Sequence, residues 1–192
     1  MKMFYEFAAR NGQENDPQKL ASPDEIKQAF ETQQKFLVWM ALIITGDPEQ
    51  ATQSLVDASA LASNPSRVFH DWLVHWARAA TLKAALQFAN QKIVTEAIPA
   101  VPCDHAMHPC LAVDQVQSLQ SASATGRILQ LDSLARASLI MRGVQNLALQ
   151  ECALLVGTTR AKIQIAYCRA LQYCEANELI RSGYIGSVHS FE

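Results

Sequence analysis

LALQECALLVGTTRAKIQIAYCRALQYC, residues 147–174, decides the fold class of this chain. Apolar residues recur at helical spacing on both sides of Gly157, so the stretch predicts a short helix, a turn at Gly157 and a second helix from Thr158 or Thr159. This is the outline of a helix-turn-helix, a motif that lays its second helix in the DNA major groove. A plain helical hairpin would show the same spacing, and the two interpretations stay open at this point.

The second helix has one apolar and one mixed face. The apolar face, which we expect to be buried, holds Ile163, Ala166, Tyr167, Ala170 and Cys174. The opposite face holds Lys162, Ile165, Arg169 and Gln172. DNA-reading helices present Arg, Lys, Asn or Gln. On this face Lys162, Arg169 and Gln172 are of these types, whereas Ile165 is not.

Helical patterns continue outward from this stretch, whereas strand-type alternation is nearly absent, so we predict an all-α protein. Gly46, Pro48 and Pro65 break the first half of the chain. The predicted helices run from Asp24 to Thr45, Glu49 to Leu61, Arg67 to Lys92, Leu131 to Arg142, Ala148 to Val156 and Thr159 to Cys174.

These helices form two small predicted domains joined by a proline-containing linker. We place a flexible leader at 1–23, the first domain at 24–96, the linker at 97–126, the helix-turn-helix domain at 127–179 and a tail at 180–192.

The composition is typical of a globular protein, and it predicts exposed apolar surface that is available to a partner. The chain is 49% apolar and 18% charged, against roughly 25% charged in an average domain. A net charge of −2 gives no overall basic field. The stretch 129–174 has five basic and two acidic residues, a net charge of +3, and is therefore the candidate nucleic-acid binder.

The chain has neither a secretory signal nor a membrane span by pattern. Glu6 interrupts the short apolar stretch at the start, and the run from Phe36 to Ile44 is far shorter than the roughly 20 residues that a span needs. The five cysteines are an odd number. We predict a cytoplasmic protein with free thiols and no membrane association.

The stretch from Val68 to Leu86 carries a second aromatic pattern. Phe69, Trp72, Leu73 and Trp76 recur at steps of three and four residues, which is typical of a core stripe. The functional alternative is that an aromatic side chain such as Trp72 stacks on unpaired bases.

A cluster of possible ligands lies between Cys103 and Cys110, with His105 and His108 between them. Its spacing is tighter than usual for zinc, so we predict no metal and no cofactor. A helical metal or redox sensor built around Cys103 to Cys110 remains an alternative. The chain also lacks a phosphate loop, a nucleophile elbow and any catalytic constellation, so we do not expect an enzyme.

Two blocks of this sequence resemble the small two-domain, extracytoplasmic-function type of bacterial RNA polymerase sigma factor. The stretch around Gly46 and Asp47 is similar to the family's Gly-Asp-x-x-x-Ala turn, and Leu55-Val56-Asp57 follows where the family has Leu-Val-Gln-Glu. Phe69-x-x-Trp72-Leu73 with Ala77-Arg78 resembles the family's Phe-x-x-Trp-Leu helix. The anchors in the second block are Leu131, Arg136, Leu139, Arg142, Leu147, Glu151, Ala153, Gly157, Ile163, Arg169 and Ala170.

The resemblance implies a transcription initiation factor whose partners are core RNA polymerase, promoter DNA and an anti-sigma protein. The implied polymerase-binding residues are Asp47, Glu49 and Asp57. The implied promoter-melting residues are Trp72, His75, Arg78 and Lys83, and the implied recognition-helix residues are Arg160, Lys162, Gln164 and Arg169.

An alternative keeps the sigma-like fold and drops promoter activity. Gln164, Ala166 and Leu171 stand where the family has basic residues, and Gln53 and Ser54 stand where it has acidic ones. Each lost phosphate contact weakens DNA binding. The chain would then be a regulator that binds a protein partner through its apolar helices.

Overall fold

A computed structural model of the chain describes residues 20–62, 68–95 and 110–180. Over these ranges the chain is all-α, as the sequence predicted, and its only extended pairing is one isolated bridge. The α-helices are α1 (Pro23–Thr45), α2 (Pro48–Ala62), α3 (Leu73–Thr95), α4 (Val113–Leu119), α5 (Ala122–Ile128), α6 (Ser133–Ser138), α7 (Leu149–Val156) and α8 (Arg160–Ala176). A 3-10 turn (His70–Trp72) precedes α3, and a π-helical turn (Leu139–Val144) follows α6.

Local signals set both ends of α1. The Ser22 hydroxyl accepts a hydrogen bond from the Glu25 amide, and the Glu25 carboxylate accepts one from the Ser22 amide, which makes a capping box. At the other end Gly46 takes a left-handed conformation (φ 71°) and donates its amide to Leu42 O at 2.8 Å. Glycine reaches this region without steric cost, so α1 ends where the sequence predicted.

The third helix begins later than the predicted Arg67. Phe69 is extended and pairs with Leu20 in the isolated bridge, and the Ala21 amide donates to Val68 O at 2.8 Å. This pairing holds the backbone out of a helix up to the 3-10 turn, so α3 starts at Leu73. The bridge also means that the end of the predicted leader, Leu20 to Ser22, is tied down, while residues 1–19 lie outside the described ranges.

Helix α3 packs against helices from both halves of the described chain. It packs on α1 and α2 along one side and on α6 and α7 along another. Buried positions accordingly come in consecutive runs, at 80–82 and 84–86, that span more than one face. Helices α1, α2 and α3 form the first block, and α6, the π-helical turn, α7 and α8 form the second.

The described part of the predicted linker contains two short helices. Ser121 caps α5 by accepting from the Ala124 amide, and Leu119 and Ile128 are fully buried. Thr125 on α5 accepts a hydrogen bond from the Trp39 indole of α1 at 3.1 Å, and Arg127 donates to Asn177 O, just after α8, at 3.0 Å. Residues 113–128 are therefore ordered between the two blocks.

Both blocks contribute to one continuous core. Met40 and Ile43 of α1, Leu86 of α3, and Leu139 and Ile163 of the second block belong to the same buried cluster. Ile180, the first residue of the predicted tail, is also buried, and residues 181–192 lie outside the described ranges. The division into two domains stays a prediction, because the helices of the blocks pack directly on each other.

The prediction of free thiols is wrong at Cys168. Cys168 on α8 is disulfide-bonded, whereas Cys110, Cys152 and Cys174 are free. Cys110 is free in this structure, and the rest of the predicted cluster, residues 103–109, lies outside the described ranges, so the metal or redox alternative stays a prediction.

Candidate nucleic-acid interface

Helices α7 and α8 are joined by a tight turn, as the sequence predicted. Gly157 is left-handed (φ 65°, ψ 37°), and the Thr158 amide donates to Ala153 O at 2.9 Å. Thr159 then caps α8, because its hydroxyl accepts from the Lys162 amide at 3.3 Å. The glycine ends one helix and the threonine starts the next, so two side chains fix where α8 begins.

The start of α8 is an exposed basic helix end. Arg160 and Lys162 are exposed, and no acidic residue lies in the first turn. The amino terminus of a helix also carries a partial positive charge and free amide donors, which favour phosphate oxygens. Gln164 is half-buried one turn further on. The opposite face is fully buried at Ile163, so α8 is held by its apolar side with this end outward.

Arg169 does not belong to this exposed end. Its guanidinium Nη2 lies 2.7 Å from Asp132 Oδ2, and both side chains are only 22% exposed. The other carboxylate oxygen of Asp132 accepts from the Ala135 amide at 2.9 Å and so caps α6. The Asp132 carboxylate therefore caps α6 and also binds α8 through Arg169. The charge of Arg169 is engaged in this internal ion pair.

The start of α3 presents a second candidate surface. Trp72 is 37% exposed, and its ring centroid lies 6.3 Å from that of His75, which is also exposed. Lys83 is exposed two turns after His75, on the same side of the helix. An aromatic ring with an exposed lysine on the same side of the helix is an arrangement that can stack on bases and neutralise phosphates of single-stranded nucleic acid. Trp76, in contrast, packs edge-on against Phe30 at 5.9 Å and is partly buried against the core.

Arg78 is turned inward against α1. Its Nη2 donates to Gln33 Oε1 at 3.0 Å, and its guanidinium carbon lies 4.5 Å from the centre of the Phe36 ring. Burial lowers the pKa of Arg78 from its ordinary value. The side chain therefore joins α1 to α3 and is not presented with Trp72 and Lys83.

The predicted polymerase-binding acids lie along α2 and its start. Asp47 caps α2, since its Oδ1 accepts from the Gln50 amide at 2.8 Å. Glu49 is exposed in the first turn, and Asp57 is half-buried and accepts from Gln53 Nε2 at 2.8 Å. Val56, 52% exposed, lies next to Asp57. This face of α2 is therefore a mixed acidic and apolar surface.

Two negative findings bear on the other predictions. In the three ranges that the structure covers, no three His, Cys, Asp or Glu side chains come together as metal ligands. No helix there is long and apolar enough to cross a membrane.

Sequence reasoning did not find Asp132, Gln33 or Phe36 as the partners of the two inward-facing arginines. Each partner is distant in sequence from its arginine, so local spacing carries no signal for the pairing. Comparison of the chain with protein-family models, curated proteins and solved structures found no match.

Proposed function

We propose that this protein is a sigma-like transcription initiation factor that binds core RNA polymerase and promoter DNA. The sequence resembles the sigma factor family, and the exposed basic start of α8 is the structural observation that carries the proposal. A capped helix end with Arg160 and Lys162 outward and its apolar face buried is the kind of surface that a major groove accepts. The protein would act by binding and positioning, without chemistry of its own.

The geometry narrows the set of DNA contacts that the resemblance implied. We assign contact with DNA to Arg160, Lys162 and Gln164 on α8 and to Trp72, His75 and Lys83 before and on α3. Arg169 and Arg78 are left as internal tethers, because Asp132 and Gln33 already hold them. Asp47, Glu49 and Asp57 remain the proposed polymerase contacts, with Asp47 also needed to start α2.

Competition for bacterial core RNA polymerase tests the proposal. The purified chain is mixed with core enzyme and a labelled small sigma factor, and displacement of the label is measured. We expect displacement with a Kd of about 1 μM or tighter, which is about −8 kcal/mol. The variant Glu49→Gln with Asp57→Asn should displace less label, whereas Lys27→Ala on α1 should behave like the native chain. A native chain that displaces nothing would refute the polymerase-binding role.

The DNA contacts are tested by the salt dependence of binding. We expect Arg160→Ala with Lys162→Ala to weaken binding to duplex DNA and to lower the slope of log K against log salt by roughly two, because each lost phosphate contact removes about 0.9 from that slope. The matched control, Lys27→Ala with Lys35→Ala, removes two exposed charges from α1. If the two pairs of substitutions weaken DNA binding and lower its salt slope equally, the start of α8 makes no specific contribution to DNA binding.

The second candidate function is a sigma-like regulator that binds a protein partner without promoter activity. The internal engagement of Arg78 and Arg169 favours it, since two of the cations expected to meet DNA are occupied. Leu154, 58% exposed on α7, offers apolar surface to a partner. Polymerase binding without DNA binding that depends on Arg160 and Lys162 would decide for this candidate.

A further inference from the structure

The side chain of Arg136 on α6 lies buried where three helices meet. It is 8% exposed, and its Nη1 donates to Leu129 O at 3.1 Å and to Leu131 O at 2.9 Å. Its Nη2 lies 3.4 Å from the hydroxyl of Ser133. The two carbonyls follow the end of α5, so the guanidinium holds the α5–α6 connection in shape.

The same guanidinium lies against the end of α1. A Cβ atom added to Gly46 would come within 2.7 Å of Arg136 Nη2 and 3.1 Å of its Cζ. Any side chain at position 46 would therefore displace the arginine. Gly46 also needs its left-handed φ of 71°. The position thus requires glycine for two separate reasons, of which only the first involves the second block.

Electrostatics favour a cation at this place. The carboxyl ends of helices carry partial negative charge, and both α1 and α5 end beside the guanidinium. Arginine keeps its charge at all accessible pH values and offers several donors in a fixed plane, so it can serve two helix ends at once.

We infer that Gly46 and Arg136 form a latch that sets how the first block, α1 to α3, meets the second block. Two further contacts join the last turns of α1 to the rest of the chain. Gln145 Nε2, just after the π-helical turn of the second block, lies 3.3 Å from Met40 Sδ, and the Trp39 indole donates to Thr125 of α5. Met40 and Trp39 lie in the last two turns of α1, so a shift at the latch is transmitted to them. The latch is independent of the proposed function, because it concerns only the packing of the chain on itself.

The chain offers a matched control for Gly46. Gly157 has nearly the same left-handed conformation (φ 65°), but a Cβ atom added there meets nothing within 4 Å. Gly46→Ala and Gly157→Ala therefore carry similar backbone strain, and only Gly46→Ala also pushes on Arg136. The difference between the stability losses of the two variants therefore measures the contribution of the contact between position 46 and Arg136.

Thermal unfolding and amide hydrogen exchange of the full chain test the inference. We expect Gly46→Ala to lower Tm by about 3 °C or more beyond Gly157→Ala. It should also speed exchange both in residues 37–45 and in residues 133–144, whereas Gly157→Ala should speed exchange only near the α7–α8 turn. Adding Gly46→Ala to a chain that already carries Arg136→Met should lower Tm by less than adding it to the native chain.

Equal Tm losses for the two glycine variants, or strictly additive losses for Gly46→Ala and Arg136→Met, would overturn the latch. Should Gly46→Ala not fold, Arg136→Lys serves in its place, because it keeps the charge and loses the planar fork. We expect Arg136→Lys to speed exchange in residues 37–45 as well as in 122–138. Unchanged exchange in residues 37–45 would show that the arginine organises its own block alone.

Discussion

Three arginines show that the type of a residue does not by itself decide its role in this chain. Arg78, Arg136 and Arg169 all lie at positions that the family resemblance marks, yet each is engaged inside the molecule. Their long aliphatic stems and planar donor groups suit them to cross between helices as well as to meet DNA. Exposure therefore decides which cations are available to a ligand, and Arg160, Lys162 and Lys83 are the exposed ones among the predicted contacts.

Also at the scale of the residue, two buried thiols make the free energy of unfolding depend on pH in the alkaline range. Burial raises the pKa of Cys152 and of Cys174 from the ordinary 9.0 to about 12. Between these values the unfolded chain has released both protons and the folded chain keeps them. We therefore expect the free energy of unfolding to fall as the pH rises from about 9 to about 12, by up to about 1.4 kcal/mol per pH unit for each thiol.

Urea unfolding at several pH values checks this expectation. The variant Cys152→Ala with Cys174→Ala should have lower stability near neutral pH but a flatter profile above about pH 9. A native profile as flat as that of the variant would mean that neither thiol is held in its protonated form by the fold.

At the scale of the element, capping residues and glycines set most helix ends. Gly46, Gly157 and Thr159 lie at boundaries that the sequence predicted, and Ser22 caps the start of α1. Each of these residues acts on the backbone within a few residues of itself. Helix α5 was not predicted, since seven residues with a glycine have little intrinsic helical tendency. It forms where Ile128 and Ala124 can enter the core.

Helix α5 should be strengthened by Gly126→Ala. Gly126 lies inside α5, and a Cβ atom there meets nothing within 4 Å. Alanine costs less conformational entropy than glycine in a helix, so we expect a gain of about 0.5–1 kcal/mol in the free energy of unfolding, measured by urea titration.

The exposed Ala161 of α8 provides the reverse control for Gly126. Ala161→Gly should destabilise by a similar amount, because it adds the flexibility that the first change removes. A loss of stability from Gly126→Ala would show that α5 is not helical at this residue.

At the scale of the whole molecule, the shared core predicts cooperative unfolding. The three tryptophans, Trp39, Trp72 and Trp76, all lie in the first block, so their fluorescence reports on that block. Far-ultraviolet circular dichroism reports on the helices of both. Because α3 of the first block also packs on α6 and α7 of the second, we expect the two signals to follow one urea transition with coincident midpoints.

Separate midpoints would mean that the blocks unfold independently despite their common core. The latch and the shared position of α3 would then contribute too little to couple them. The change Thr52→Val on the exposed face of α2 is a suitable reference, since it should move both signals together by a small amount.

The sequence by itself determined the helical class, the α7–α8 turn, the boundaries at Gly46 and Gly157 and the basic start of α8. These features depend on periodicity and capping, which act over a few residues along the chain. Tertiary structure alone decided that Arg169 pairs with Asp132, that Arg78 faces α1, that Arg136 meets Gly46, and that residues 113–128 fold between the blocks. Such contacts join residues far apart in sequence, and their geometry is fixed only when the helices pack around a common core.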